Sequence, residues 1–272
     1  MPGSAVRGPA RSRQADVTGP ASRPVSFDWA GPSDASPVVF LHGTRLTRAS
    51  WTAQMAALAD EFCVVAIDLP GHGVLVDEPF ELEAAADHVG DLIATVIGRP
   101  AVVVGLSLGG YVAMALAARR PELVRGLVLS GATAEPIGLR AVPYRALAWA
   151  LVRFDGARLD ALNARFFRAR FVPGIAEPIL AGGFWSRGGA GALRALVGER
   201  FAPRLAAYPG PTLIINGEYD LLFRFATGTF ARAARDARRV RLRGATHLAN
   251  LDRPEAFSEA VRRFVRSLAK PA

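Results

Sequence analysis

The sequence predicts an α/β fold: a mostly parallel central sheet flanked by helices, with one long helical insertion. Three observations predict it. Short apolar runs alternate with segments of helical period along most of the chain. The runs Pro37–Leu41, Cys63–Asp68, Ala101–Leu106 and Val124–Ser130 are apolar almost throughout, as strands covered on both faces are. Between Thr133 and Tyr208 the rhythm stops, and it returns at Thr212–Asn216.

Each element has its own justification. Val25-Ser26-Phe27-Asp28-Trp29 alternates and reads as an antiparallel edge strand, with a shorter partner expected near Ala15–Thr18. Trp51, Met55, Leu58 and Phe62 recur at helical spacing, as do Leu82, Ala86, Val89, Ile93 and Val96. A helix is expected over Leu108–Arg120, another from about Leu221 to Arg235, then strand Arg238–Leu242. The last helix starts at Pro254, with Asp252 read as its N-cap and Phe257, Val261, Phe264 and Leu268 facing inward. The insertion reads as helical pieces broken by Pro143, Pro173-Gly174, Pro178 and Gly188-Gly189. The expected division is a tail over residues 1–12, a core over 13–132 and 209–272, and a helical cap, or lid, over 133–208. An insertion that long exceeds an ordinary loop and usually covers something.

Composition narrows the function class. With 272 residues, 51% hydrophobic and 21% charged, the chain reads as a soluble globular protein with a sizeable core. No apolar stretch approaches the roughly 20 residues of a membrane span, and the Pro/Gly/Ser/Arg-rich start lacks a secretory h-region, so a cytoplasmic location is expected. The single cysteine, Cys63, lies in an apolar run and reads as a buried structural thiol. No histidines have zinc-site spacing, and neither a metal nor any other cofactor is expected. The net charge of +9 is almost all arginine, spread along the chain without a nucleic-acid motif, so no nucleic-acid partner is expected.

The chemistry centres on Gly105-Leu106-Ser107-Leu108-Gly109, a G-x-S-x-G match between a predicted strand and a predicted helix. A tight strand-to-helix turn strains the serine and exposes its hydroxyl above a helix N-terminus. Such a nucleophile needs a base and an orienting acid. His247, in the loop after the last strand, is the expected base; His88 reads as a solvated residue on a polar helix side. Asp220 follows a strand and a glycine turn and completes the order Ser…Asp…His, while Glu218 is expected to be exposed. The backbone N–H groups of Leu108 and Thr44 are the expected oxyanion donors.

Taken together, "VVFLHGT", "AIDLPGHG", "GLSLGG", "IINGEYD" and "GATHLANLDRPEAF" resemble the α/β-hydrolase superfamily, in its serine-nucleophile, capped, esterase-like branch. The resemblance implies an α/β-hydrolase fold, an oxyanion role for the His42-Gly43 loop, and structural roles for Asp68 and His72. Two departures affect loop shape: Val74-Leu75-Val76-Asp77 replaces a small hydroxyl residue, and Leu221-Leu222-Phe223-Arg224 replaces a proline.

The expectation is a serine hydrolase acting through Ser107, His247 and Asp220 on an ester, thioester or lactone of a small hydrophobic molecule. C–C hydrolysis, perhydrolysis or elimination on the same triad, or a catalytically weak binder, stay open as alternatives. Substrate contacts are expected from Arg45, Trp149, Phe154, Phe184, Trp185 and Leu221, although the aromatics equally suit the insertion's own small core. Whether the protein is a monomer or a homodimer is left open.

Overall fold

The computed structural model describes residues 12–15, 25–154 and 156–268. Its eight strands are β1 (Ser12–Ala15), β2 (Val25–Ala30), β3 (Pro37–Leu41), β4 (Cys63–Ile67), β5 (Ala101–Leu106), β6 (Val124–Ser130), β7 (Pro211–Gly217) and β8 (Asp236–Leu242). They form one sheet in the order β1-β2-β4-β3-β5-β6-β7-β8. β1 and β2 pair antiparallel, β2 runs antiparallel to β4, and the remaining strands are parallel. The partner of β2 therefore starts at Ser12, earlier than the expected Ala15–Thr18. Residues 16–18 lie outside the described residues, as do residues 1–11 of the expected tail.

Parity along the buried strands sorts the core into two layers. Val39, Leu41, Val65, Ile67 and Val103 join one cluster, while Val38, Phe40, Val64, Ala66, Val102 and Val104 join the other. The first face is covered by α2 (Leu82–Leu92), which continues as a π turn over Ile93–Ile97, and by α3 (Leu108–Arg119). The second face is covered by α1 (Thr52–Leu58) and by the last helix, Pro254–Leu268. None of the helices among the described residues is long and apolar enough to cross a membrane.

His88 is buried, not solvated. α2 packs on the sheet and also against α3, so a side chain off the sheet-facing stripe is still covered.

Between β6 and β7 the chain forms α4 (Val142–Arg153), α5 (Ala157–Arg170), α6 (Pro173–Gly182), α7 (Ser186–Leu196) and α8 (Phe201–Ala207). The expected breakers act differently from one another. Pro143 sits in the first turn of α4, where a missing N–H costs nothing, whereas Pro178 lies inside α6. Gly188 and Gly189 do not break α7; they let it touch the core. A Cβ at Gly188 would lie 1.8 Å from the Gly71 carbonyl oxygen, and one at Gly189 would lie 3.0 Å from Thr44 Cγ2.

After β7 come α9 (Leu221–Arg224) and α10 (Thr227–Ala233) in place of the single helix expected from Leu221 to Arg235. The Thr133 hydroxyl donates to the Phe223 carbonyl at 2.7 Å, drawing it from the helical ladder, while the Thr227 hydroxyl lies 3.2 Å from that carbonyl and donates to Asn216 Oδ1 at 2.8 Å. After β8 the chain makes the short α11 (Ala249–Asp252) and then α12 (Pro254–Leu268).

Candidate active site

The chain leaves β3 towards β4 on one side and reaches β5 on the other, so the carboxyl ends of β3 and β5 flank a switch point, where α/β sheets hold their ligands. Ser107 stands at the end of β5 with φ 51° and ψ −113°. Apart from Arg45, it is the only non-glycine residue with positive φ among the described residues. Such a conformation costs about 1–3 kcal/mol and persists only where its surroundings enforce it. Here they do. Ser107 N–H donates to the Ser130 carbonyl at 2.7 Å, and Gly109 N–H donates to the His42 carbonyl at 3.0 Å. A Cβ at Gly105 would lie 2.4 Å from the Gly109 backbone, and one at Gly109 would lie 2.2 Å from the Leu41 carbonyl oxygen. The glycines permit this approach, and the serine side chain is left half-buried at the mouth of the turn.

Ser107 opens on a cavity of about 440 Å³. His247 and Asp220 share its wall. His247 Nδ1 is 3.0 Å from Asp220 Oδ2. A carboxylate only accepts, so Nδ1 carries a proton, and Nε2 is the nitrogen left to face the cavity chemistry. Asp220 is buried, and the Phe223 ring stacks on the imidazole at 4.8 Å and 24°. Ser107 and His247 are not hydrogen-bonded to each other; among the described residues the bond to Asp220 is the histidine's one hydrogen bond. Contacts of this kind often tighten only with substrate bound.

Gly131, at the end of β6, sits against this pair with φ 58°. A Cβ there would lie 2.6 Å from His247 Cε1, 2.8 Å from Nδ1 and 3.3 Å from Asp220 Oδ2. Gly131→Ala is expected to displace the imidazole and lower kcat by about 100-fold. The positive φ adds a stability loss of about 1 kcal/mol. Steady-state kinetics together with a thermal melt check this; parental kcat would show that the methyl group is accommodated.

Two acidic side chains differ from expectation. Glu218 is half-buried, not exposed, because its Oε2 accepts the Gly244 N–H at 2.9 Å and closes the loop after β8. Asp252 does not cap α12. Its carboxylate turns back to Thr246, accepting the backbone N–H and the hydroxyl at 2.6 Å each.

The Thr44 and Leu108 amides, expected as oxyanion donors, flank the same turn, and neither donates to a backbone carbonyl among the described residues. Leu108's side chain is fully buried, so only its backbone could serve the site. Two neutral histidines hold the Thr44 loop. His42 Nδ1 donates to the Gly43 carbonyl at 2.9 Å while Nε2 accepts the Leu69 N–H at 2.9 Å. His72 Nδ1 donates to the Pro70 carbonyl at 3.0 Å while Nε2 accepts the Arg45 N–H at 3.2 Å. Asp68 accepts the Arg48 backbone N–H at 2.8 Å and pairs with the Arg48 guanidinium, tying the two loops together.

Burial holds His42 at a pKa of about 4 and His72 at about 3, the latter helped by the neighbouring His42. The unfolded chain protonates both near pH 6.5, whereas the folded protein does not until far lower pH. Stability contributed by the neutral rings is therefore complete above about pH 6.5 and falls as pH drops through the window down to the folded values. The expected loss is roughly 2 kcal/mol per histidine by pH 5. Urea denaturation at pH 7, 6 and 5 measures it, and an unchanged free energy would contradict the assignment.

Of the expected substrate contacts, Arg45 lies in the cavity wall and Trp149, Phe154, Phe184, Trp185 and Leu221 do not. The facing of α4 explains the first of these. Pro143, Tyr144 and Leu147 fall on its inner face and line the cavity, whereas Trp149 points outward and is 62% exposed. Phe154 packs edge-on to Trp149 outside the site. Phe184 packs at a tilt against Phe167 under the Arg45 guanidinium, and Trp185 Nε1 donates to the Gly182 carbonyl at 3.0 Å. Leu221 is exposed, while its neighbours Leu222 and Phe223 reach the wall. Sequence reasoning missed Leu46, Tyr144, Leu147, Leu193 and Leu248, which complete the apolar lining. For Tyr144 and Leu147 the signal was present: they share a helical stripe with Ala148 and Leu151, both buried.

The sequence profile of the alpha/beta hydrolase family matches residues 38–260. The chain belongs to the alpha/beta hydrolase family. Among its relatives, the pimeloyl-[acyl-carrier protein] methyl ester esterase of Neisseria meningitidis serogroup A is 32% identical over 251 residues, 87% of this chain and 79% of that protein. The serogroup C protein of the same name is 39% identical over 127 residues, 46% of this chain and 48% of that protein, so that match spans about half of the relative's length. In three dimensions the chain is similar to a thermophilic esterase from Thermogutta terrifontis, with a TM-score of 0.77 and 27% identity, covering 96% of this chain and 100% of that one. As a member of the family, it has the α/β-hydrolase fold expected from its motifs.

Proposed function

We propose that this protein is a serine hydrolase that cleaves an ester-type bond of a small hydrophobic substrate through an acyl-enzyme. One observation carries the reading: a strained, half-buried serine and an Asp220-bound histidine open on the same apolar cavity. The ester chemistry is supported by the relatives and structural neighbour named as esterases.

In this reading Ser107 Oγ attacks the carbonyl carbon as its proton passes to His247 Nε2. Asp220 stabilises the imidazolium without taking the proton, and the Thr44 and Leu108 amides receive the oxyanion. Collapse breaks the ester bond, and Nε2 returns the proton to the departing alkoxide. Water then attacks the acyl carbon, giving its proton to Nε2, and Ser107 leaves reprotonated as the acid is released. The helices between β6 and β7 act as the cap. Tyr144, Leu147 and Leu193 from that segment stand in the wall, and the Tyr144 hydroxyl is 2.7 Å from that of Tyr111 on α3.

p-Nitrophenyl esters of graded acyl length, with a fluorophosphonate serine probe, test the proposal. Each methylene buried in the wall adds about 0.8 kcal/mol, so kcat/KM is expected to climb roughly three- to fourfold per carbon until the cavity fills. Probe labelling without turnover of any ester would redirect the reading to another bond type. Absence of labelling would favour a binding protein.

A further inference from the structure

We propose that Asp252 is a positioning residue for the catalytic base, and that through Arg170 it couples the α5 helix to that base. The inference rests on the reading of His247 as the base.

Asp252 brackets His247 from both sides. Its Oδ2 accepts the N–H and the hydroxyl of Thr246, the residue before the histidine, at 2.6 Å each. Its own backbone N–H donates to the carbonyl of Leu248, the residue after it, at 2.9 Å. One residue thus closes the loop on either side of the imidazole. Backbone closeness elsewhere depends on the same loop: a Cβ at Gly217 would lie 2.1 Å from the Thr246 carbonyl oxygen. Triad geometry tolerates little error, because a displacement of about 1 Å at a catalytic group costs about 100-fold in rate.

The other carboxylate oxygen faces away from the loop. Oδ1 accepts from Arg170 Nη2 at 2.5 Å, and the Asp252 side chain is only 4% exposed. Arg170 is the last residue of α5, in the segment proposed as the cap, and its guanidinium lies over the Phe171 ring at 5.4 Å. Phe171 is buried against Phe167. The carboxylate is therefore shared between the histidine loop and the end of a helix some 80 residues earlier in the chain. A charge-assisted bond of this kind is stronger than a neutral one and sets direction as well as distance.

The test uses the full chain and the variants Asp252→Ala, Asp252→Asn, Thr246→Val and Arg170→Met. It reads kcat and KM per folded molecule on p-nitrophenyl butyrate, with the rate of fluorophosphonate labelling at Ser107. Asp252→Ala is expected to lower kcat and the labelling rate by about 30- to 100-fold with KM within about twofold. Asp252→Asn keeps an oxygen that accepts from Thr246 and is expected to recover to within about tenfold of the parent. Thr246→Val, losing only the hydroxyl bond, and Arg170→Met, losing only the ion pair, are each expected to lower kcat by about threefold or more. Should Asp252→Ala not fold, the isosteric Thr246→Val decides. Parental kcat in Asp252→Ala, or in Thr246→Val where that variant decides, overturns the inference, as does a loss accounted for by the folded fraction alone. Ser107→Ala, run alongside, separates the two readings. Its inactivity together with a parental Asp252→Ala removes this inference alone, whereas parental activity in Ser107→Ala brings both down.

Discussion

Ser107→Ala is expected to lower kcat by roughly four to six orders of magnitude, because the remaining oxyanion donors and cavity supply only a residual rate. The folded structure should hardly notice. The strain at this position belongs to the backbone, with φ 51°, and alanine carries it as serine does. Ser107→Gly is the informative companion: it removes the hydroxyl and also relieves the positive φ, so it should be inactive yet more stable by about 1 kcal/mol. Kinetics and thermal melts of both variants separate catalysis from folding. Ester turnover at the parental rate in Ser107→Ala would end the nucleophile assignment.

Asp220→Asn is expected to lower kcat by about 10⁴-fold with the cavity unchanged. The amide presents an N–H to His247 Nδ1 at the present 3.0 Å separation, which favours the tautomer with its proton on Nε2. That ring cannot accept the serine proton. Glu218→Gln is the control. Its carboxylate closes the loop at Gly244 and does not touch the imidazole, so a change of only a few-fold is expected. A larger loss in Glu218→Gln than in Asp220→Asn would exchange their roles.

Much of the sheet was legible because its signal is local. β3, β5 and β6 occupy the spans read from their apolar runs, and α12 begins at the proline that announced it. The G-x-S-x-G turn was legible for the same reason: glycine at two positions and a strand on one side are enough to imply a sharp corner. The edges were less so. β1 carries four residues with no apolar pattern of its own, and its place is set by pairing with β2. The helix expected after Asp220 divides in two where the Phe223 carbonyl accepts the hydroxyl of Thr133, which lies 90 residues away.

The candidate site divides along the same line. Ser107, Asp220 and His247 were readable as residue types at strand ends in a fixed order, which is information the chain carries along its length. The wall of the cavity was not. Aromatic content pointed to Trp149 and Phe154, but the facing of α4 against α7 turned Tyr144 and Leu147 inward instead.

By itself, then, the order of residues determined the alternation of strands and helices, the strained corner at Ser107 and the residues proposed as its partners. Only the tertiary structure decided that Gly131 presses on the imidazole, that Gly188 admits a helix to the Gly71 turn, and that Asp252 grips Thr246 instead of capping α12. The physical reason is the range of the forces: periodicity and turn strain act between near neighbours, whereas close packing and buried hydrogen bonds are settled only when distant segments meet.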